Sequence, residues 1–232
     1  MTRSFLEQIP FDLGHRTAMG RSDFLIAPSN RDAVAWIDLW PNWPAPVLII
    51  YGPVASGKTH LAEVWREKSH ADFITISDIQ NKNPSDLTDH PGHFILDEAD
   101  ILIGNLESEK KLFHLYNIFK ENNRTLLLTL ISAPVHQHFA LPDLASRLRA
   151  APAVAIREPD DALLAAIMVK LFNDRQLRVG ADVIGYILPR VERSFESVRA
   201  FVDKLDQRAM MEKKSITPAM VKSVFDELAS AA

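Results

Sequence analysis

Blocks of apolar residues alternate with helical patterns along the first two thirds of the chain. Short apolar runs without strict alternation are typical of strands buried on both faces, and they occupy residues 47–51, 73–76, 94–96, 125–130 and 153–156. Apolar residues that recur every three or four positions predict helices at residues 30–40, from residue 58, and at 111–120. This order predicts an α/β fold with a largely parallel sheet and helices on both faces.

The last third of the chain carries helical patterns only. They predict four helices, at residues 160–174, 181–189, 194–211 and 217–229. Asp160 and Ser194 are suitable N-cap residues, and Thr217 precedes a proline at a first helical position. We therefore expect a base at residues 21–157 and a small all-helical lid at residues 158–232, preceded by an extended tail at residues 1–20.

Composition places the chain among ordinary globular proteins. Of its 232 residues, 47% are hydrophobic and 24% are charged, and the formal net charge is −4. Because nucleic-acid phosphates usually require a basic face, this balance argues against a chain that binds nucleic acid along its whole length. The absence of cysteine excludes disulfides and thiolate-bound zinc. The N-terminus lacks the apolar core of a signal peptide and no run approaches the ~20 apolar residues that span a bilayer, so we expect a cytoplasmic protein without a membrane partner.

A glycine-rich loop follows the first predicted strand and opens a predicted helix. Its sequence is Gly52-Pro-Val-Ala-Ser-Gly-Lys-Thr59, the full eight-residue pattern of a phosphate-binding loop. Glycines let backbone N–H groups approach a phosphate, the lysine reaches the β- and γ-phosphates, and the threonine hydroxyl is a ligand for Mg²⁺. We therefore predict a nucleoside di- or triphosphate with Mg²⁺, bound by residues Gly52, Pro53, Val54, Ala55, Ser56, Gly57, Lys58, Thr59 and His60.

An acidic pair ends the third predicted strand. Asp97 and Glu98 directly follow an apolar run, at a position where the carboxyl edge of a parallel sheet would lie beside the phosphate loop. Asp97 is expected to hold Mg²⁺ together with Thr59, and Glu98 is expected to polarise an attacking water. Strands that end in a solvated acidic turn are common, so this prediction depends on the phosphate loop earlier in the chain. We interpret Asp100 as a helix cap.

The chain resembles the AAA+ ATPases, P-loop NTPases in which such a base carries a helical lid. Segment 140–148, Ala-Leu-Pro-Asp-Leu-Ala-Ser-Arg-Leu, resembles the stretch with the arginine finger in the DnaA/Hda family of bacterial replication initiators and their shortened regulatory relatives. It is closer to the regulatory branch, Hda. Segments 115–119 and 197–199 are similar to the same family. The resemblance covers nearly the whole chain, and segment 141–148 is its specific part, because many NTPases share the phosphate loop and the acidic pair.

The resemblance implies roles for three further segments. Arg147 is the implied arginine finger, expected in an outward-facing loop from which it reaches the γ-phosphate held by a neighbouring molecule; such an arginine is worth about 10³- to 10⁵-fold in rate. From position alone it would be a surface residue in a salt bridge, and Arg149 is the nearby alternative. Arg199 is the implied sensor of bound nucleotide, against the alternative of a solvated helix face. Residues 23–25, with Phe24 and Leu25, are implied to wrap the adenine.

One position departs from the family. Where initiators carry a polar sensor residue after the fourth strand, this chain has Leu130 and Ile131, followed by Ser132. Apolar side chains cannot orient a water or contact a γ-phosphate. Either Thr129 or Ser132 substitutes, or intrinsic hydrolysis is feeble, whereas Glu98 argues for hydrolysis. The sequence leaves open whether ADP or ATP is the working nucleotide.

A short motif in the N-terminal tail is similar to the peptide with which the regulatory branch docks on the replicative sliding clamp. Its glutamine, aliphatic and two bulky apolar positions are Gln8, Ile9, Phe11 and Leu13. An extended peptide of this kind fills a groove while few residues become ordered. The alternative is a tail that packs Phe11 on its own domain.

The resemblance implies a regulatory function with a defined partner. Bound to adenine nucleotide and docked on the clamp, the chain would present Arg147 to ATP-bound DnaA, stimulate hydrolysis there and repress re-initiation. Initiators continue into a helix-turn-helix domain, whereas this sequence ends at Ala232, so we expect no sequence-specific DNA binding. The alternative is an autonomous homo-oligomeric ATPase or loader that uses Arg147 in its own inter-subunit sites, which Glu98 keeps open. A small-molecule kinase would need an acceptor pocket that the sequence does not indicate.

Overall fold

Parallel strands form the centre of the molecule. The computed structural model describes residues 25–89, 91–177, 179–212 and 215–230, with only the backbone at 228–230. Within these residues the strands are β1 (Val47–Tyr51), β2 (Asp72–Phe73), β3 (Phe94–Leu96), β4 (Leu126–Leu130) and β5 (Ala153–Ala155). Their order across the sheet is β2-β3-β4-β1-β5, and every neighbouring pair is parallel. The predicted parallel sheet is confirmed.

Helices connect the strands and then follow the sheet. The helices α1 to α5 are Arg31–Leu39, Lys58–Ser69, Ile76–Asn81, Leu106–Glu121 and Pro142–Ala150. The helices α6 to α9 are Asp161–Asp174, Ala181–Ile187, Phe195–Glu212 and Pro218–Ser230. Asp160 caps α6 by accepting the N–H of Leu163 at 2.8 Å, and Ser194 accepts the N–H of Ser197 at 3.0 Å at the start of α8. These side chains satisfy N–H groups that have no partner within the helix, which explains why both helices begin where the sequence predicts.

The predicted second strand is too long, because a capping box starts α3 inside it. Thr75 Oγ1 accepts the N–H of Asp78 at 3.0 Å, and the Asp78 carboxylate accepts the N–H of Thr75 at 3.1 Å. Hydrogen bonds from Lys82 and Thr75 lower the pKa of Asp78 to about 2. The reciprocal cap outweighs the β-branched residues at 74–76 and turns the chain into a helix at Ile76.

Each face of the sheet is covered by a different group of helices. Leu126, Leu128 and Leu130 of β4 lie in an apolar cluster with α3, α4 and α5. Leu127 points the other way, into a cluster with α1 and α2. Burial on both faces explains why the strands are continuous apolar runs rather than alternating ones. It also confirms the prediction of helices on both faces.

The C-terminal helices have a core of their own. Buried residues of α6 to α9, among them Phe172, Phe201, Leu205 and Val221, form a third cluster that contains no residue of the sheet. None of the described helices combines the length and the apolarity that crossing a membrane requires. The helical unit that the sequence predicts after the sheet is therefore present, and α8 begins beside the phosphate loop.

Candidate nucleotide-binding site and an exposed arginine

Two glycines shape the loop between β1 and α2. The N–H of Gly52 donates to the Leu130 carbonyl at 3.0 Å, and a Cβ atom at Gly52 would lie only 2.2 Å from the Ile156 carbonyl oxygen. Gly57 has a φ of +95°, which favours glycine, and a Cβ atom there would lie 3.1 Å from the Phe195 ring of α8. The loop geometry therefore requires glycine at both positions that the phosphate-loop pattern predicts.

Lys58 is buried under the loop at the start of α2. Its Nζ donates to the carbonyl oxygens of Gly52 at 2.8 Å and Pro53 at 2.7 Å. Burial lowers the pKa of Lys58, while the negative charges of Asp97, Asp100 and Glu98 act in the opposite direction. The loop thus holds an ammonium group next to backbone N–H groups at a helix N-terminus, an arrangement suited to phosphate.

A buried threonine fixes the acidic pair. Thr129, in β4, donates a short hydrogen bond to one carboxylate oxygen of Asp97 and accepts the N–H of Glu98 at 2.8 Å. Thr59 donates to the other Asp97 oxygen at 2.7 Å. Asp97 is therefore held between the phosphate loop and β4. Sequence reasoning had considered Thr129 only as a replacement sensor and missed this role.

The side chains of Thr59 and Asp97 fit a Mg²⁺ ion in chemical type. Both offer oxygen ligands, which Mg²⁺ prefers, and they are already within hydrogen-bond distance of each other. Among the described residues, no group of three or more His, Cys, Asp or Glu side chains could hold a metal alone. Phosphate oxygens and water would have to complete the coordination, as is usual for nucleotide-bound Mg²⁺.

Two residues near the expected phosphates have left-handed backbone conformations without being glycine. Ala55 in the loop has a φ of 58° and Glu98 a φ of 55°. Such conformations cost about 1–3 kcal/mol and persist where the surrounding structure imposes them, which is common at functional sites. At Glu98, the bond from its N–H to Thr129 helps to impose it, and the exposed side chain lines a cavity.

A cavity of about 860 Å³ lies between the loop and α8. Val54, Ala55, Gly57, Lys58, Thr59 and His60 line it from the loop side, with Glu98 and Ile131, and Phe195 and Arg199 line it from α8. Its size is in the range of small-molecule sites. Gly52, Pro53, Ser56 and Asp97 do not line it, although Asp97 accepts a hydrogen bond from Thr59, which does. Arg199 is exposed at this boundary, where the sequence-based prediction requires it.

A smaller recess of about 90 Å³ adjoins the cavity and shares Gly57, His60, Phe195 and Arg199 with it. Leu25, from the segment predicted to wrap adenine, lines this recess, whereas Phe24 lies outside the described residues. Helix α6 contributes Ile167, Lys170, Leu171 and Asp174. No sequence motif marks these four residues, so sequence reasoning missed them.

No polar side chain from the end of β4 takes the sensor position in the cavity. Leu130 is fully buried in the core, and Ile131, 54% exposed, lines the cavity. Thr129 faces the acidic pair, and Ser132 accepts a hydrogen bond from Gln137 at 3.0 Å. Among the described residues that line the cavity there is neither Thr129 nor Ser132, the two possible replacements for the sensor residue.

Asp100 does not cap a helix, so that interpretation was wrong. Its carboxylate accepts the N–H of Ile131 at 2.9 Å and Gln137 Nε2 at 2.7 Å. These bonds join the turn after β3 to the segment after β4. The sequence gives no sign of them, because the partners are more than thirty residues apart.

Arg147 and Arg149 lie on α5 and differ in their partners. Arg147 was expected in a loop but lies in the last turn of the helix, because its neighbours Leu144 and Leu148 pack into the core. It is exposed, and its guanidinium has no hydrogen bond or ion pair with any described residue. Arg149 donates to the carbonyl oxygens of Pro134 at 3.5 Å and Gln137 at 3.3 Å and lies over the Phe139 ring. The internal salt bridge that would have opposed the finger prediction is not found among these residues.

The clamp-binding prediction concerns Gln8, Ile9, Phe11 and Leu13, which lie outside the described residues. It therefore stays a prediction, as do the roles assigned to the individual residues of the cavity.

Comparisons with known proteins find similarity to replication initiators and to an Hda lid domain. Residues 161–225 match the family model described as "Hda, lid domain". The chromosomal replication initiator protein DnaA of Flavobacterium psychrophilum is 24% identical over 202 residues, which are 78% of this chain and 41% of that protein. The chain thus spans less than half the length of this initiator.

Solved structures show the same fold. Domain III of the Thermotoga maritima replication initiation protein DnaA superposes with a TM-score of 0.78 at 18% identity, over 88% of this chain and 94% of that one. AMPPCP-bound DnaA from Aquifex aeolicus gives a TM-score of 0.68 at 18% identity, over 80% and 64%. The parallel sheet, the phosphate loop and the helical lid, together with these matches, lead to one conclusion: the chain has the AAA+ fold of DnaA domain III and carries a lid that matches the Hda lid model.

Proposed function

We propose that this chain is a regulatory AAA+ protein that binds an adenine nucleotide itself and supplies Arg147 to the nucleotide site of the initiator DnaA. Hydrolysis of the ATP bound to DnaA would be stimulated, which represses re-initiation of replication. The observation that carries the proposal is the exposed Arg147 without a partner among the described residues, on a helix packed into the core.

The proposed trans mechanism uses the chemistry of the guanidinium. Arginine stays charged at all relevant pH values and presents planar donors that match phosphate oxygens. Brought to the γ-phosphate of a partner, it would neutralise negative charge that develops during transfer to water. Because Leu144 and Leu148 fix the helix on the core, few degrees of freedom are lost when Arg147 meets its target.

The chain's own nucleotide is proposed to be ADP or ATP with Mg²⁺. Lys58 and the loop N–H groups would hold the phosphates, Thr59 and Asp97 would hold the metal, and the recess at Leu25 and α6 would take the adenine. Support comes from the steric need for glycine at Gly52 and Gly57. The base at 21–157 and the lid at 158–232 would meet across this nucleotide, with Arg199 as its contact from the lid.

Docking on the sliding clamp is proposed for residues 8–13. The clamp would hold the chain at replicated DNA and raise its local concentration near initiator. A pull-down on immobilised clamp, comparing the intact chain with a Gln8→Ala, Phe11→Ala double variant, tests this part. Retained binding of the double variant would count against the docking motif.

The main test measures ATP hydrolysis by DnaA with clamp, DNA and this chain present. Arg147→Ala should abolish the stimulation, a loss of about 10³-fold or more, with unchanged melting temperature and unchanged nucleotide affinity of the chain. Arg149→Ala is the matched control, because Arg149 is bound internally to Pro134 and Gln137. Full stimulation by Arg147→Ala would refute the proposal.

A second candidate function is an autonomous oligomeric ATPase. The observation in its favour is Glu98, whose side chain lines the cavity and whose backbone is fixed by Thr129. In this case Arg147 would complete the sites of further copies of the chain. Hydrolysis by the chain alone that rises steeply with its concentration would support this candidate.

A further inference from the structure

A buried carboxylate binds the segment that leads into α5. Glu109, in the first turn of α4, is fully buried. Its Oε1 accepts the N–H of Gly104 at 2.6 Å and the N–H of Ala140 at 3.0 Å, and its Oε2 accepts the N–H of Leu141 at 2.6 Å. One side chain therefore joins the turn before α4 to the two residues that directly precede α5.

These bonds anchor the entry to α5, which has no capping side chain of its own. The N-cap residue is Leu141, which has no side-chain acceptor, and Pro142 follows at the first helical position. The start of a helix leaves N–H groups without partners and carries a positive partial charge. The Glu109 carboxylate accepts the N–H groups of Ala140 and of the N-cap residue Leu141, and it places a negative charge at the positive end of α5.

Hydrogen bonds from three backbone N–H groups also explain how the charged side chain of Glu109 can be buried. A carboxylate removed from water is costly unless it is hydrogen-bonded, and bonds from backbone N–H groups to a charged acceptor are strong ones. Glu109 forms no ion pair with a described residue, so backbone N–H groups are its partners there. Such a group fixes the positions of its donors, because any displacement leaves a buried charge unsatisfied.

We propose that Glu109 is the positioning residue of Arg147. It fixes the N-terminal end of α5, Leu144 and Leu148 pack the helix on the core, and the position of Arg147 is set by this fixed helix. This inference rests on the proposed function of Arg147. Glu109 acts through the helix and contacts neither nucleotide.

The informative substitution replaces the carboxylate of Glu109 with a carboxamide. Glu109→Gln keeps the size of the side chain, but its amide NH₂ group would face one of the N–H donors instead of accepting from it. Glu107→Gln is the matched control, because Glu107 lies in the same turn of α4, is exposed and pairs with Lys110 on the helix surface at 2.6 Å. Both variants remove one negative charge from the same helix.

The experiment combines hydrolysis by DnaA with hydrogen exchange in the chain. Glu109→Gln should lower the maximal stimulated rate about tenfold or more, because small displacements of a reacting group cost up to ~10²-fold. The chain concentration that gives half-maximal stimulation should change less than about twofold, because the docking surface is untouched. Amide exchange should become faster across residues 139–150 and stay unchanged across residues 52–60.

Exchange at residues 52–60 separates positioning from general stability. If Glu109→Gln acts on α5 alone, exchange at 52–60 stays unchanged, whereas general destabilisation makes it faster as well. Equal rates for Glu109→Gln and Glu107→Gln, or unchanged exchange at 139–150, would overturn the inference while Arg147→Ala still supports the proposed function. Full stimulation by Arg147→Ala would instead refute the proposed function and, with it, the role of Glu109 in stimulation.

Discussion

The nucleotide site and the α5 surface differ in whether their charged side chains are bound by other residues of the chain. Around the loop, Lys58 is bound to two carbonyl groups, and Asp97 is bound by Thr59 and Thr129. On α5, Arg147 has no partner among the described residues. The described residues thus bind the charged groups of the first region but not Arg147. This difference supports the proposal that the chain's own site holds a ligand and that Arg147 meets one on a partner.

The chain's own nucleotide site and the proposed partner site also differ in the side chains that are available for ATP hydrolysis. In the chain's own site, apolar Ile131 lines the cavity where relatives are expected to place a polar sensor. Glu98 is present, but no side chain from the end of β4 helps it to orient water within the described residues. In the proposed function, Arg147 adds a further positive charge to the nucleotide site of the partner, where it would speed hydrolysis. Hydrolysis would therefore be slow in this chain's own site and fast in the partner's.

The largest change in nucleotide affinity is expected at Lys58 and tests whether the first region holds a nucleotide. Lys58→Ala should weaken ADP binding about 100-fold, because a hydrogen bond to a charged group contributes up to about 3 kcal/mol and the ammonium has one N–H beyond the two bound to Gly52 and Pro53. Titration with a fluorescent ADP analogue measures the affinity. Lys120→Ala, at an exposed lysine in the last turn of α4, is the control. Affinities of the two variants within about threefold of each other would contradict the assignment.

A smaller effect is expected at the boundary with the lid. Arg199→Ala should weaken nucleotide binding about tenfold, the contribution of one charge-assisted hydrogen bond. Arg193→Ala serves as the control, since Arg193 forms an exposed ion pair with Asp161 at 3.0 Å in the same helical unit. Calorimetric titration with ADP measures the affinity of both variants. The sensor assignment is wrong if Arg199→Ala binds as tightly as Arg193→Ala.

These expectations depend on features that the sequence reveals to different degrees. The strands and the lid helices were predictable, because burial on both faces gives continuous apolar runs and because Asp160 and Ser194 cap their helices locally. The phosphate loop was predictable for the same kind of reason, since its function depends on the conformation of eight consecutive residues. Signals of this type lie within a single segment of chain.

The missed features depend on contacts between distant segments. Thr129 fixes Asp97 and Glu98 from thirty-two and thirty-one residues away, and Asp100 binds Gln137 from thirty-seven. No spacing rule connects such pairs, because the sheet order, not the sequence, brings β3 beside β4. The helical position of Arg147 was missed for a related reason: α5 is held by Glu109 from α4, and its own N-cap residue gives no capping signal.

The smallest effect sharpens the difference in hydrolysis between the two regions. Ile131→Asn should raise the intrinsic hydrolysis rate by about threefold, a small part of the ~10²-fold that a well-positioned polar group contributes. Single-turnover assays with the chain alone measure this rate. Ile101→Asn introduces the same amide on another exposed apolar residue of the cavity and should have no effect. An equal rise in both variants, or none in Ile131→Asn, would contradict the assignment of the sensor position.

The most direct measurement compares Glu98→Gln with Arg147→Ala in the hydrolysis of ATP by DnaA on clamp-loaded DNA. Glu98→Gln removes the group that would activate water in the chain's own site, and Arg147→Ala removes the group offered to the partner. We predict that Glu98→Gln stimulates DnaA as well as the unmodified chain does, whereas Arg147→Ala loses about 10³-fold or more. The reverse result, with stimulation lost in Glu98→Gln and kept in Arg147→Ala, would contradict a function in trans.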